Sequence, residues 1–297
     1  MKRKDLLSNN VLGIILMFTC QISFAINDTV VKLAVLEINS NISTLNVIFI
    51  RGLFTTIFIF IYLKFIQKKN IIKIIKKTSF HVRGLYEVMA ALFFFSGLIL
   101  MPISNVYTLL MTNPLLITIF AYFFLKEKVG IRRWSAVTFG FLGVIIVIYP
   151  KDMNFEYLFI LPIIAAIFLT IRDIKTKNIV TKTNSFDIIF VTSVLMTIFA
   201  GIGSLFFDFT LTYNQIPKIL ISSIFLTVAY LFSVMTIFYA PLSLTASARY
   251  SVIFFGIIFG YLILGEIPTY NMFIGAIMII ISGLFVIKRQ KDLGKIN

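Results

Sequence analysis

The chain is poor in the residues that most often carry out chemistry. Its 297 residues include one cysteine, Cys20, and one histidine, His81. A lone thiol closes no internal disulfide, and a lone imidazole builds no metal cage. There is no H-E-x-x-H pair, no G-x-S-x-G elbow and no G-x-x-x-x-G-K-[ST] phosphate loop, so zinc protease, serine hydrolase and P-loop ATPase chemistry lack their residues. No metal and no cofactor is expected. Acids are scarce as well, 12 against 27 Lys and Arg, for a net charge of +15. Also missing are ten-residue segments of alternating polarity, which argues against a membrane β-barrel.

What the chain has is apolar length. It is 59% hydrophobic and 13% charged, with a mean hydropathy of +1.00. A soluble fold of that composition would not have enough polar atoms to cover its surface. A span across a hydrocarbon core of about 30 Å needs about 20 apolar residues. The runs predict an all-α polytopic membrane protein with ten helices, at 10–34, 43–66, 80–100, 103–125, 133–149, 156–176, 186–207, 218–239, 243–264 and 268–287.

The positive charge is read by its placement. Lys2 to Lys4, Lys64 to Arg83, Lys126 to Arg133, Arg172 to Lys182 and Lys288 to Lys295 fall at alternate ends of the spans, while the other ends hold little beyond Lys32, Lys151 and Lys218. That asymmetry predicts that both termini are cytoplasmic, and makes a bilayer rather than nucleic acid the partner of the charge. The run "KKNIIKIIKK" at 68–77 interleaves lysine with isoleucine and suits a short amphipathic segment on the anionic inner leaflet or a solvated loop.

An internal repeat runs beneath the hydropathy. Sliding the chain by 139 positions lays Pro102 on Pro241, Ser104 on Ser243, Ile119 on Ile258, Phe120 on Phe259, Tyr122 on Tyr261, Leu125 on Leu264 and Glu127 on Glu266. Asp28 and Lys32, four residues apart, recur as Asp173 and Lys177. Five spans per copy is an odd number, so the second copy enters the membrane inverted. The expected organisation is one five-helix repeat over 10–150, a second over 156–288 and a cytoplasmic tail at 289–297.

The pattern resembles the EamA type of the drug/metabolite transporter superfamily. The residues that carry it are Leu125-x-Glu127 and Leu264-x-Glu266 closing the fourth and ninth helices, an aromatic seven residues on (Trp134, Phe273), and the small residues Ala136, Gly143, Gly275 and Ser282 beyond. The resemblance covers residues 10–288 and implies ten helices in two halves. Within it, the two Asp-x-x-x-Lys pairs, "FIRGLF" at 49–54 and "SARY" at 247–250 look like the S-adenosylmethionine transporters of intracellular bacteria. One departure is visible: the family's proline before the glutamate is present as Pro114 but replaced by Ile253 in the second copy.

Charge in lipid is expensive, so charged residues inside spans face the bundle interior or a wet cavity. Gln21, Asp28 and Lys32 share one face of the first helix, and Thr44, Arg51 and Thr55 one face of the second. Asp28 and Arg51 fall at similar depth near one side, and Glu87, Asp173 and Arg249 near the other. For Asp28 and Arg51 a structural ion pair and a binding role both stand. Arg249 aligns with Leu110 in the repeat, and an asymmetric charge suits a substrate better than the fold's own symmetry. It is the expected ligand of a carboxylate, with Tyr250 beside it. Glu87, with Asp28 or Asp173, is the expected partner of a cationic group or a proton, and Tyr107 and Asn113 complete the candidate site. Pro114 breaks the fourth helix, as a packing kink or as part of a cavity. Gly256 and Gly260 suit close packing within the bundle better than a dimer face. Glu127 and Glu266 are expected to be structural, capping the helix that follows.

These readings converge on a secondary carrier for a small polar solute, amino-acid-like or S-adenosylmethionine-like, working as a monomer or homodimer by alternating access. The rivals are a non-transporting membrane scaffold or regulatory subunit and, with less behind it, an intramembrane enzyme.

Overall fold

A computed structural model describes residues 3–36, 44–123, 130–148, 157–180, 183–207, 215–239 and 248–292. Among them the regular structure is helical throughout. The elements are α1 (Arg3–Leu36), α2 (Thr44–Ile61, continued by a π-helical turn Tyr62–Ile66), α3 (Ile71–Ile75), α4 (Thr78–Leu100), α5 (Ile103–Leu110) and α6 (Asn113–Phe123). They are followed by α7 (Ile131–Ile148), α8 (Ile160–Val180), α9 (Ser185–Ser204), α10 (Gln215–Tyr239), α11 (Ser251–Leu264) and α12 (Tyr270–Asp292). Among the described residues seven stretches are long and apolar enough to cross a membrane, α5 and α6 together forming one of them, and three shorter apolar helices lie within α7, α11 and α12.

Prolines and glycines set the breaks. Pro102 follows the extended Met101 and starts α5 rather than prolonging α4. The helix predicted over 103–125 is two helices. The Thr112 amide turns back to the Leu109 carbonyl at 3.1 Å, and the Thr112 carbonyl then accepts from Leu115 and Leu116. Pro114, whose missing amide needs no partner in a first helical turn, opens α6. A turn stands at Tyr250, the position that slides onto Met111, although the second copy has Ile253 where the first has proline. Gly265, at φ 68°, ends α11 in the left-handed region and returns the Glu266 amide to the Gly260 carbonyl at 2.9 Å. Residues 243–247 of the predicted ninth helix lie outside the described residues.

The helices pair mainly across the two halves of the chain. α1 packs along α10, α4 along α8, α2 along α9 and α7 along α12, while α1 also meets α11, α8 meets α5 and α6, α2 meets α10 and α4 meets α9. Exchanging each helix of the first half for the one five spans later returns the same set of pairings. The α7–α12 seam explains the small residues at 136, 143, 275 and 282. A methyl on Gly143 would stand 2.8 Å from Met278 Cβ and 2.9 Å from the Gly275 carbonyl oxygen, and the Ser282 hydroxyl donates to the Ala136 carbonyl. Gly256 and Gly260 do the same for α11 against α5, facing Tyr107 and Ile103 within the chain.

The lysine-rich run at 68–77 forms the short α3. Asn70 caps it through the amides of Ile72 and Lys73 at 3.1 and 3.3 Å, Ile74 is buried against α9, and Lys69 pairs with Asp187 at 2.6 Å.

Candidate functional site

The charges inside the bundle fall into three groups. The first joins α1, α2, α5 and α10. The Tyr107 hydroxyl donates to Asp28 Oδ2 at 2.7 Å, and Asn27 Nδ2 donates to Asp28 Oδ1 at 2.7 Å. Asn27 Oδ1 in turn accepts from Arg51 at 3.2 Å and from the Ser222 hydroxyl at 2.7 Å. Asp28 and Arg51 thus communicate through Asn27 rather than as a direct ion pair. The Arg51 guanidinium lies 4.5 Å from the Phe95 ring centroid, where the quadrupole of the ring attracts a desolvated cation. Its Nε is left without a hydrogen-bond partner. Asp28 is 4% exposed, Arg51 2% and Asn27 0%, so this group is dry.

The second group joins α4, α6, α8, α9 and the turn before α11. Glu87 accepts from Arg172 on both oxygens, at 3.0 and 2.9 Å, and pairs with Arg83 at 2.8 Å. Arg172 also holds Asp173 Oδ1 at 2.7 Å, while Asp173 Oδ2 receives Arg249 at 3.3 Å and Asn113 at 3.4 Å. Arg83 is further fixed by Thr192 at 2.7 Å and Thr176 at 3.3 Å. Three guanidinium groups face two carboxylates, leaving one positive charge in excess. Unlike the first group this one is partly wet: the side chains of Arg172, Asp173 and Arg249 are 16%, 19% and 23% exposed.

The third group sits where α4 ends and α5 begins. Lys32 pairs with Glu266 at 2.5 Å and donates to the Met101 carbonyl, and the other Glu266 oxygen accepts the Ile103 amide at 2.8 Å. Glu266 therefore caps α5, a helix of the first half, instead of the helix that follows it; α12 takes its side-chain cap from Thr269, whose hydroxyl accepts the Met272 amide at 3.2 Å. The left-handed Gly265 turns the carboxylate in that direction. Glu127 lies outside the described residues, as do the side chains of Pro114 and Lys177.

Of the residues expected at a site, Glu87, Asp173, Arg249 and Asn113 come together, and Asp28, Arg51 and Tyr107 gather in the dry group. Tyr250 is buried with its hydroxyl directed at Gly283 of α12 and no hydrogen-bond partner. Sequence reading missed Arg83 and Arg172, which it assigned to cytoplasmic segments. Both fall within the predicted spans 80–100 and 156–176 but were counted as basic flanking charge, and their pairing with Glu87 and Asp173 is what turns them inward. Asn27 and Ser222 were missed too, since an amide and a hydroxyl inside an apolar run carry no pattern until their partners are known. Tyr230 was also missed: edge-on to Phe24 at 5.8 Å and 89°, it stands within electrostatic reach of Glu87, Arg51, Arg83 and Arg172.

A helical bundle with paired charges in its interior and apolar side chains over its surface defines a multi-pass membrane protein with a polar central path. The comparisons agree with that class and narrow it. The EamA-like transporter family matches residues 11–149 and again 155–288, and the chain belongs to that family. It is 26% identical over 291 residues to an S-adenosylmethionine uptake transporter of Rickettsia bellii (strain RML369-C), covering 97% of each chain. It is also 28% identical over 202 residues to a riboflavin transporter of Rhizobium johnstonii, covering 66% of this chain and 65% of that one. A solved crystal structure, 12% identical, superposes with a TM-score of 0.65 over 95% of this chain and 99% of that one, a likeness of fold alone. The protein is a small-metabolite transporter of the bacterial inner membrane and not an enzyme.

Proposed function

We propose that the protein is a secondary carrier for a small zwitterionic metabolite, amino-acid-like or S-adenosylmethionine-like, that works by alternating access. Two five-helix repeats, 10–150 and 156–288, lie in opposite orientations and rock around the charges between them. The pairings that survive exchange of the halves support this arrangement. Both termini are cytoplasmic in this reading, which places Asp28 and Lys32 toward the outside and Asp173 toward the inside.

One observation carries the substrate reading. The Arg249–Asp173 contact, at 3.3 Å, is the longest ion pair among the described residues, and its two side chains are the most exposed of the interior charges. An α-amino-acid head group inserted there presents its carboxylate to Arg249 and its ammonium to Asp173, replacing one ion pair by two. Arg172 and Asn113 keep Asp173 in place meanwhile. Both relatives' named cargoes carry a fused nitrogen heterocycle, and Tyr230 with Phe24 offers aromatic surface near the same centre. Arg249 contributes little to folding here, because a long, partly exposed pair is worth about 1 kcal/mol or less.

Uptake of radiolabelled S-adenosylmethionine and amino acids into cells or proteoliposomes tests the proposal. Arg249→Ala is expected to fold with near wild-type thermal stability and to lose at least about tenfold in initial uptake, with Arg249→Lys recovering only part because a point charge replaces a bidentate fork. Unchanged uptake in folded Arg249→Ala protein removes Arg249 from the site.

A further inference from the structure

The dry end of the bundle carries an element that the transport reading does not use. Lys32 and Glu266 are joined across the two halves of the chain, and both also bind backbone at the α4–α5 junction. The geometry follows the charge of the helix ends. The ammonium faces the Met101 carbonyl at the C-terminus of α4, and the carboxylate faces the Ile103 amide at the N-terminus of α5. Each charge meets the end of the helix dipole that attracts it. The pair therefore depends on the position of the Met101–Pro102 break as well as on its own contact.

We infer that Lys32 and Glu266 form a latch that holds this end of the carrier shut, and that it must part for the end to open. Three observations support the assignment. The Lys32 side chain is 5% exposed and that of Glu266 14%, against 16%, 19% and 23% for Arg172, Asp173 and Arg249 at the other group. The latch lysine is thus the most sequestered of these charges. The latch links elements that an opening movement would separate: α1 and the α4–α5 break of one half, the α11–α12 turn of the other. Glu266 is also delivered by a dedicated backbone device, the left-handed Gly265, and α11 approaches closely enough for it to reach because Gly260 lacks a side chain. A Cβ there would stand 3.0 Å from Glu266 Oε2.

The inference rests on the alternating-access reading, and its test is chosen to be independent of any cargo. Val31, buried in the apolar core on the helical turn that carries Lys32, is replaced by cysteine in a Cys20→Ala background, leaving the chain a single thiol, buried near the latch. Labelling by a membrane-impermeant thiol reagent is then timed from each side of sealed vesicles. The reference protein should label slowly from the latch side. Lys32→Met/Glu266→Gln, which removes both charges and leaves no unpaired buried ion, should fold and label at least about tenfold faster from that side. The single variant Glu266→Gln should do the same if it folds. Wild-type labelling of the folded double variant, or acceleration from the opposite side only, overturns the latch. If labelling accelerates as expected while the wild-type protein moves no tested metabolite, the latch stands and the proposed cargo class falls.

Discussion

Glu87→Gln separates a charge that holds the bundle together from one that waits for cargo. Glu87 is buried and engages two guanidinium groups, Arg172 through both oxygens at 3.0 and 2.9 Å and Arg83 at 2.8 Å. Removing one partner of a buried ion pair costs about 3–5 kcal/mol, because the remaining charge stays desolvated. Here the cost falls toward the lower end. Arg172 retains Asp173, Arg83 retains the Thr176 and Thr192 hydroxyls, and the glutamine oxygen still accepts one hydrogen bond. Against that, the group passes from three cations and two anions to three and one. A loss of about 3 kcal/mol corresponds, at about 2 °C per kcal/mol for a chain of this size, to a melting temperature about 6 °C lower. Thermal unfolding of the purified protein in detergent reads this directly. Glu87→Asp, which keeps the charge but shortens the reach, should fall between. A Glu87→Gln protein melting within about 1 °C of wild type would mean that the guanidinium groups find other partners or water, and would refute the reasoning.

Two further outcomes follow from the same structure. Gly143→Val should destabilise the protein by about 1–3 kcal/mol, since α7 and α12 approach too closely there for a side chain without backbone shifts, and thermal unfolding checks it. Reporter fusions to the two ends should both report cytoplasm; a split result ends the reading of ten spans with cytoplasmic termini.

Much of the helical layout was legible in the sequence because apolar run length is a one-dimensional signal. The charge networks were less so. The stripe of Gln21, Asp28 and Lys32 was visible from spacing on one helix, and all three are buried. Gln21 bonds locally to Met17, but Asp28 reaches Tyr107 and Lys32 reaches Glu266, 79 and 234 positions away, and Asn27 beside Asp28 reaches Arg51, 24 away. Nothing local encodes such distances. Arg83 and Arg172 misled for a physical reason: basic residues near the end of a span read as the flanking charge that sets orientation, and only the acids they meet, Glu87 and Asp173, show that they turn inward. The small residues at 136, 143, 275 and 282 were readable as a pattern, and their cause became clear only once α7 and α12 were seen to touch.

The three groups of charges divide the labour unequally. In the repeat register Arg249 slides onto Leu110. Leu110 packs in an apolar cluster with Leu116, Ala165 and Ala166, whereas Arg249 reaches Asp173. The two positions come from equivalent places in the two copies, so the helix scaffold requires neither a charge nor a cavity there. Asp28 and Asp173, by contrast, are acids in both copies, yet one is sealed by Tyr107 and Asn27 while the other is partly wet and shared among Arg172, Arg249 and Asn113. A carrier whose halves were equivalent in every respect would bind its cargo equally well in two mirrored poses. On the proposed function, one arginine present in a single copy would remove that degeneracy, because a carboxylate on the cargo would then have one place to go. Side-chain asymmetry at Arg249, laid over symmetric helix pairing, is how the proposed carrier would give direction to a molecule that its backbone alone would not orient.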